Sequence, residues 1–165
     1  MSIAEGMIGE FSHEAVTTRK VLERVPEDKF DWKPHEKSMS LGQLAAHVAE
    51  IPEWTPAIVD QDLFDMDASD YKPKVFTSRE DLLEYFDKNV ELFKDRMAGQ
   101  TDEHLFGTWK MKHGGEITLE MPRVACLRGF ILSHQIHHRG QLTVYLREND
   151  VPIPSIYGPS ADESE

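Results

Sequence analysis

A chain of 165 residues, 39% of them hydrophobic, suits one domain around one core. Its formal net charge of −12, with no Lys/Arg cluster to oppose it, repels phosphate backbones and anionic lipids, so nucleic acid and membranes are not expected partners. It lacks both a run of roughly 18 apolar residues and a secretory signal in MSIAEGMIGE, and its one cysteine, Cys126, has no internal partner; a reduced, cytoplasmic location is expected.

The first predicted helix covers Ser2 to Val25. Ile3, Met7, Phe11, Thr18, Leu22 and Val25 recur at steps of three, four or seven, which puts them on one face. Pro26 and Pro34 in "VPEDKFDWKPHEKS" stop it. The second helix opens at "SLGQLAAHVAEI", where Ser40 and Gln43 form a capping box. Leu41, Leu44, His47, Val48 and Ile51 share its apolar face. Pro52 and Pro56 predict a kink or restart near residue 52. "DLFDMDASDYKPKV" reads as an acidic connector.

In "TSREDLLEYF", Thr77 and Glu80 form another capping box. Leu82, Phe86, Val90, Phe93 and Met97 make the third helix's stripe, and Gly99 ends it. Strand-like runs between residues 107 and 119 flank Gly114-Gly115 and predict a small hairpin. The fourth helix starts near Pro122 and runs to about Glu148, with Pro152 and Pro154 beyond. The expected fold is all-α: a four-helix bundle with a small β-hairpin before the last helix. One domain covers residues 1–160, and the small acidic tail 161–165 is expected to fray.

"ILSHQIHHRGQ" carries three of the chain's eight histidines. His134 and His138 are one turn apart, about 40° around the helix, so both imidazoles can reach one ion. They continue a stripe of Leu127, Ile131, Gln141 and Tyr145, which points them to the interior. His47 lies on the apolar face of the second helix. One ligand from that helix and two from the fourth would leave an open coordination position, the catalytic pattern. The competing reading is three core histidines hydrogen-bonded to carbonyls or to Tyr145. A zincin is excluded: the residue after the first helical histidine is Gln135, which cannot act as a general base.

Around this cluster, Gln141 is placed to orient a ligand, Tyr145 to orient a histidine or to pack, and Trp54 to wall the site unless the Pro52 break turns it away. Arg139, about 100° from the pair, is expected to cap or bridge to an acidic neighbour. Cys126 reads as a small buried hydrophobe. His13 is expected in solvent, and His35, His104 and His113 in loops. Leu132, Ile136, Leu142, Val144 and Leu146 make the fourth helix apolar over much of its circumference, which calls for burial within the chain or a homodimer seam.

The segments "FDWKPHEKSMSLGQLAAHVAEIPEW", "SHQIHHRGQLTVYLREN" and "VPIPSIYGPSADE" together resemble the DinB/YfiT-like family of metalloenzymes over nearly the whole chain. The resemblance implies a bundle of up-down-down-up order, often dimeric, and a divalent metal on His47, His134 and His138. It also implies, in some members, a site carboxylate, which the sequence does not identify. Some relatives join bacillithiol, mycothiol or glutathione to small electrophiles. A metal-dependent thiol S-transferase is therefore the expected function. The alternatives are a stress-associated protein that binds a metal or small ligand without turnover, and a metal-dependent hydrolase. Zinc, nickel and iron all accept imidazoles, so the ion's identity stays open.

Overall fold

The computed structural model describes residues 1–164. Helix α1 spans Ile3–Leu22, capped by Ser2 and Glu5 in a capping box. It ends three residues before the expected Val25, which a turn still carries into the core. Helix α2 spans Leu41–Glu50, with the Ser40–Gln43 capping box as expected. Pro52 then tightens the chain into a 3₁₀ turn, Ile51–Trp54, before α3 resumes at Thr55–Val59. Helix α4 spans Arg79–Met97. Its cap is Ser78, whose hydroxyl accepts from the Asp81 amide, one residue on from the expected Thr77–Glu80 pair. All five residues of the expected stripe are buried, and Gly99 takes the positive φ of +77° that ends the helix.

Two helical features were not anticipated. A short helix, α5, spans Asp102–Phe106 and holds His104, which packs its ring nitrogen 2.8 Å from the Val59 carbonyl; the expected loop is corrected there. The last helical stretch is divided: α6 at Arg123–Cys126, a wide π-helical segment at Leu127–Ser133, and α7 at His134–Glu148.

The expected hairpin is present and is part of something larger. Strands β2 (Thr108–His113) and β3 (Glu116–Pro122) pair antiparallel, and Gly114 and Gly115 supply the two positive φ angles of their tight turn. Strand β1 (Leu63–Asp65) adds to β2 in parallel, giving sheet order β1-β2-β3. The molecule is therefore mostly helical, and the expected hairpin is enlarged to a small three-stranded sheet. The "connector" was misread because a three-residue strand inside an Asp-rich run has no alternation to detect; its pairing with β2 is a tertiary event.

Helices α1 and α2 each pack against both α4 and α7. Phe11 of α1 and Phe93 of α4 meet at the centre, ring centroids 4.0 Å apart and both fully buried. Leu132, Leu142 and Leu146 are buried within the chain, which accounts for most of the apolar circumference of the last helix; Val144 is exposed. The tail is anchored further than expected. Asp162 pairs with Arg147 and accepts from the Ile153 amide, while Glu163 pairs with Arg24 and accepts from the Ser155 amide. Among the described residues, no helix is long and apolar enough to cross a membrane.

Candidate metal centre

His47 sits in the last turn of α2, and His134 and His138 in the first turns of α7, where the two helices pack together. One ring nitrogen from each lies within 4.8 Å of the other two. Nε2 of His47 and Nε2 of His134 are 3.3 Å apart. Two nitrogens each about 2.1 Å from one ion, about 100° apart as seen from it, would be separated by about 3.2 Å. The spacing is thus that of two ligands of a shared ion.

The opposite ring nitrogens are all taken. Nδ1 of His47 lies 2.9 Å from Oε1 of Glu50, Nδ1 of His138 lies 2.7 Å from Oε1 of Gln141, and Nδ1 of His134 lies 3.3 Å from the Phe130 carbonyl. An Nδ1–H held by an oxygen fixes the tautomer and ring angle and leaves Nε2 as the free lone pair. Burial pushes the His134 pKa down, and the nearby His47 pushes it further. His138 is pushed down to about 4, chiefly by burial, against an opposing hydrogen bond from Gln141. Both rings are neutral at physiological pH, the form in which imidazole binds a metal.

Glu50 makes the arrangement chemically specific. It is 2% exposed, and among the described residues no Lys or Arg pairs with it. Its Oε1 faces His47 and accepts from the Tyr71 hydroxyl at 2.6 Å, and its buried Oε2 has no hydrogen-bond partner among the described residues. A buried carboxylate without a cation is costly. A divalent ion on the three Nε2 atoms would supply the missing positive charge one imidazole away. The donor set and this orphaned oxygen together fit a metal.

Two cavities meet here. The larger, about 360 Å³, is bounded by His47, Glu50, Tyr71 and His134 and by a set of aromatic side chains that includes Trp54. The smaller, about 180 Å³, shares His47, Glu50 and Tyr71 and is closed by Met39, Gln43 and Lys74.

The expected interior stripe is shifted. Gln135, Arg139, Leu142 and Leu146 are the buried face of α7, while His134, His138 and Tyr145 are half-buried at its rim and Gln141 is exposed. The phase changes because the π-helical turns ahead of His134 wind wider than an α-helix, so a constant 100° step fails. Of the three, His47 lines both cavities and His134 the larger one. Trp54 lines the larger one, so the Pro52 break does not turn it away. Tyr145 packs edge-on to Trp32, centroids 5.6 Å apart, and hydrogen-bonds none of the three histidines among the described residues. Arg139 bridges to Glu14 at 2.7 Å, as expected, though fully inside the core. Cys126 is buried, and burial pushes its thiol up to about 11. His13, His35 and His113 lie exposed and apart from the cluster.

Sequence reasoning missed Glu50 and Tyr71. Glu50 had a signal, an acid at i+3 from His47 on a helix otherwise lined with Leu, Ala and Val. Tyr71 had none, because it comes from extended coil 21 residues further on.

The model of the DinB family matches residues 1–165. The chain belongs to the DinB family. Among its relatives, this DinB chain is 30% identical to the uncharacterized protein YrdA of Bacillus subtilis strain 168 over 152 residues, which is 91% of this chain and 85% of YrdA. It is 27% identical to the uncharacterized YjoA of the same strain over 143 residues, 83% of this chain and 84% of YjoA. A DinB-like crystal structure from Bacillus cereus ATCC 10987 superposes with a TM-score of 0.73 at 24% identity, covering 94% of this chain and 98% of the other. The crystal structure of YjoA gives 0.70 at 20% identity, over 92% and 96%. These two superpositions establish a shared fold.

Proposed function

We propose that this DinB protein is a metal-dependent transferase that joins a low-molecular-weight thiol to a small electrophile. His47, His134 and His138 would hold a divalent ion such as zinc, nickel or iron. The observation that carries a two-substrate reaction is the pair of cavities sharing His47, Glu50 and Tyr71. The smaller one has Lys74 for the carboxylate of a thiol such as glutathione or bacillithiol; the larger, apolar one has room for the electrophile. A bound divalent ion would supply Lewis acidity, which brings a thiol to its thiolate form at neutral pH. The chain's own residues do the positioning. Glu50 and Gln141 hold the imidazoles in the ligating tautomer, and Tyr71 holds Glu50. Sulfur bonds to the electrophilic carbon as the bond to the leaving group breaks, and the thiol proton leaves to solvent.

The same reading takes residues 3–22, 41–59, 79–97 and 123–148 as the helices of an up-down-down-up bundle. It also includes cytoplasmic homodimers, to be tested by sedimentation velocity on wild type and Val144→Glu. Elemental analysis of the purified protein and of His47→Ala is the primary test: about one ion per chain in the first and none in the second is expected. A panel of thiols with 1-chloro-2,4-dinitrobenzene then tests turnover. Lys74→Ala should raise the KM for the preferred thiol several-fold with kcat unchanged. Absence of turnover with every thiol on metal-loaded protein would overturn the transferase reading.

A further inference from the structure

Resting on that reading of the site, we infer that the larger cavity selects an uncharged molecule with an aromatic body, and that this class supplies the electrophile. Its volume, about 360 Å³, lies at the lower end of small-molecule pockets. One turn of helix, about 10 Å wide and 5.4 Å high, already fills about 400 Å³, so a helical segment is too large. The walls are the rings of Trp54, Phe64, Trp109 and Phe130 and the thioethers of Met66 and Met111. Rings and polarisable sulfur both favour an aromatic guest.

The rings are held in place. The Trp109 indole N–H donates to the Ala57 carbonyl at 2.8 Å, and Trp109 is 3% exposed. Trp54 packs on Phe64 and on Tyr71, both with centroids 5.4 Å away. The polar groups form one continuous wall, Tyr71–Glu50–His47–His134, linked by contacts of 2.6, 2.9 and 3.3 Å. Phe130 joins the two parts. Its ring lines the cavity while its carbonyl faces Nδ1 of His134, so the residue that walls the guest also sets the imidazole the guest meets.

In the metal-free protein charge decides against acids: among the described residues no Lys or Arg lines this cavity and the carboxylate of Glu50 does, within a chain of net charge −12. A carboxylate or phosphate on the guest would enter an apolar space beside a like charge.

Calorimetric titration of metal-free protein with naphthalene-2-methanol and with its anionic counterpart 2-naphthoate tests the assignment. The expected result is one neutral molecule per chain, bound at least tenfold tighter than the anion. Ala57→Leu, which fills the cavity, should weaken it tenfold or more. Phe130→Ala, which removes a rim ring that is 38% exposed, should weaken it several-fold and keeps the test decisive where Ala57→Leu fails to fold. Equal or tighter binding of 2-naphthoate, or binding unchanged in the variants that fold, overturns the inference. His138→Ala separates this from the metal reading, because His138 does not line the cavity. Wild-type protein that takes up no metal sinks the metal-dependent function, and neutral-guest binding that persists in it and in His138→Ala leaves the cavity assignment standing.

Discussion

The Tyr71 hydroxyl donates at 2.6 Å to the same oxygen of Glu50 that faces Nδ1 of His47. A residue from exposed coil thereby fixes a carboxylate in the core, and the carboxylate fixes the His47 imidazole. Outer partners of this kind are worth about 10–100-fold in metal affinity. Glu50→Gln should weaken zinc binding by about that factor, read by competition with a chromophoric chelator. Tyr71→Phe leaves the carboxylate in place and should cost roughly two- to tenfold, the worth of one hydrogen bond. Equal affinities in the wild type and both variants would remove Glu50 from the site.

Arg139 neighbours His138 in sequence, yet its role is structural. Its guanidinium donates to the Glu14 carboxylate and carbonyl and to the Thr18 hydroxyl inside the core, and to the hydroxyl of the exposed Tyr157. Arg139→Met leaves Glu14 buried and unpaired, which should cost about 3–5 kcal/mol in urea unfolding. The double variant Glu14→Leu/Arg139→Met should recover most of that loss. A full loss in the double variant would mean that packing, and not charge pairing, sets the value.

Cys126 should be silent in the folded state. With its thiol pushed up to about 11 by burial, native protein at pH 8 should show no reaction with a disulfide reagent, and denatured protein one thiol per chain. The sign of the linkage follows. The folded state holds the proton more tightly than an unfolded thiol of pKa about 8.5, so this contribution to stability is complete below that pH and disappears as pH rises through about 11. Unfolding midpoints across that range, compared with Cys126→Ala, measure it.

Truncation after Ser160 removes two ion pairs and the acceptors of the Ile153 and Ser155 amides. Exposed pairs are worth about 0–1 kcal/mol each and the two hydrogen bonds about 1 kcal/mol each, so a loss of about 2–4 kcal/mol is expected, with metal affinity unchanged. A change in affinity would tie the tail to the site.

The legible parts of this molecule were those with local signals. Ser40 and Gln43 announced α2, Gly114-Gly115 announced the hairpin, and the i, i+4 histidines with His47 marked the residues that converge. What escaped was set by contacts distant in sequence. Leu63–Asp65 becomes a strand only because β2 lies beside it, and Tyr71 reaches Glu50 only after the chain has turned back over α2. The rim position of the pair escaped because the stripe was extended at constant pitch through turns that are wider than α.

That widened stretch, Leu127–Ser133, gives the fold a sensitivity that side-chain chemistry does not reveal. Its turns hold more residues than α turns, so one residue fewer there can be taken up by tightening to α with the downstream phase kept, while one residue added beyond it, where the helix is α, swings everything downstream by about 100° about the axis. Insertions at that point, more than point substitutions, would decide whether a relative with every histidine intact can still bring its imidazoles together. A variant with one residue added after Ser133 should fold with its imidazoles facing the wrong neighbour.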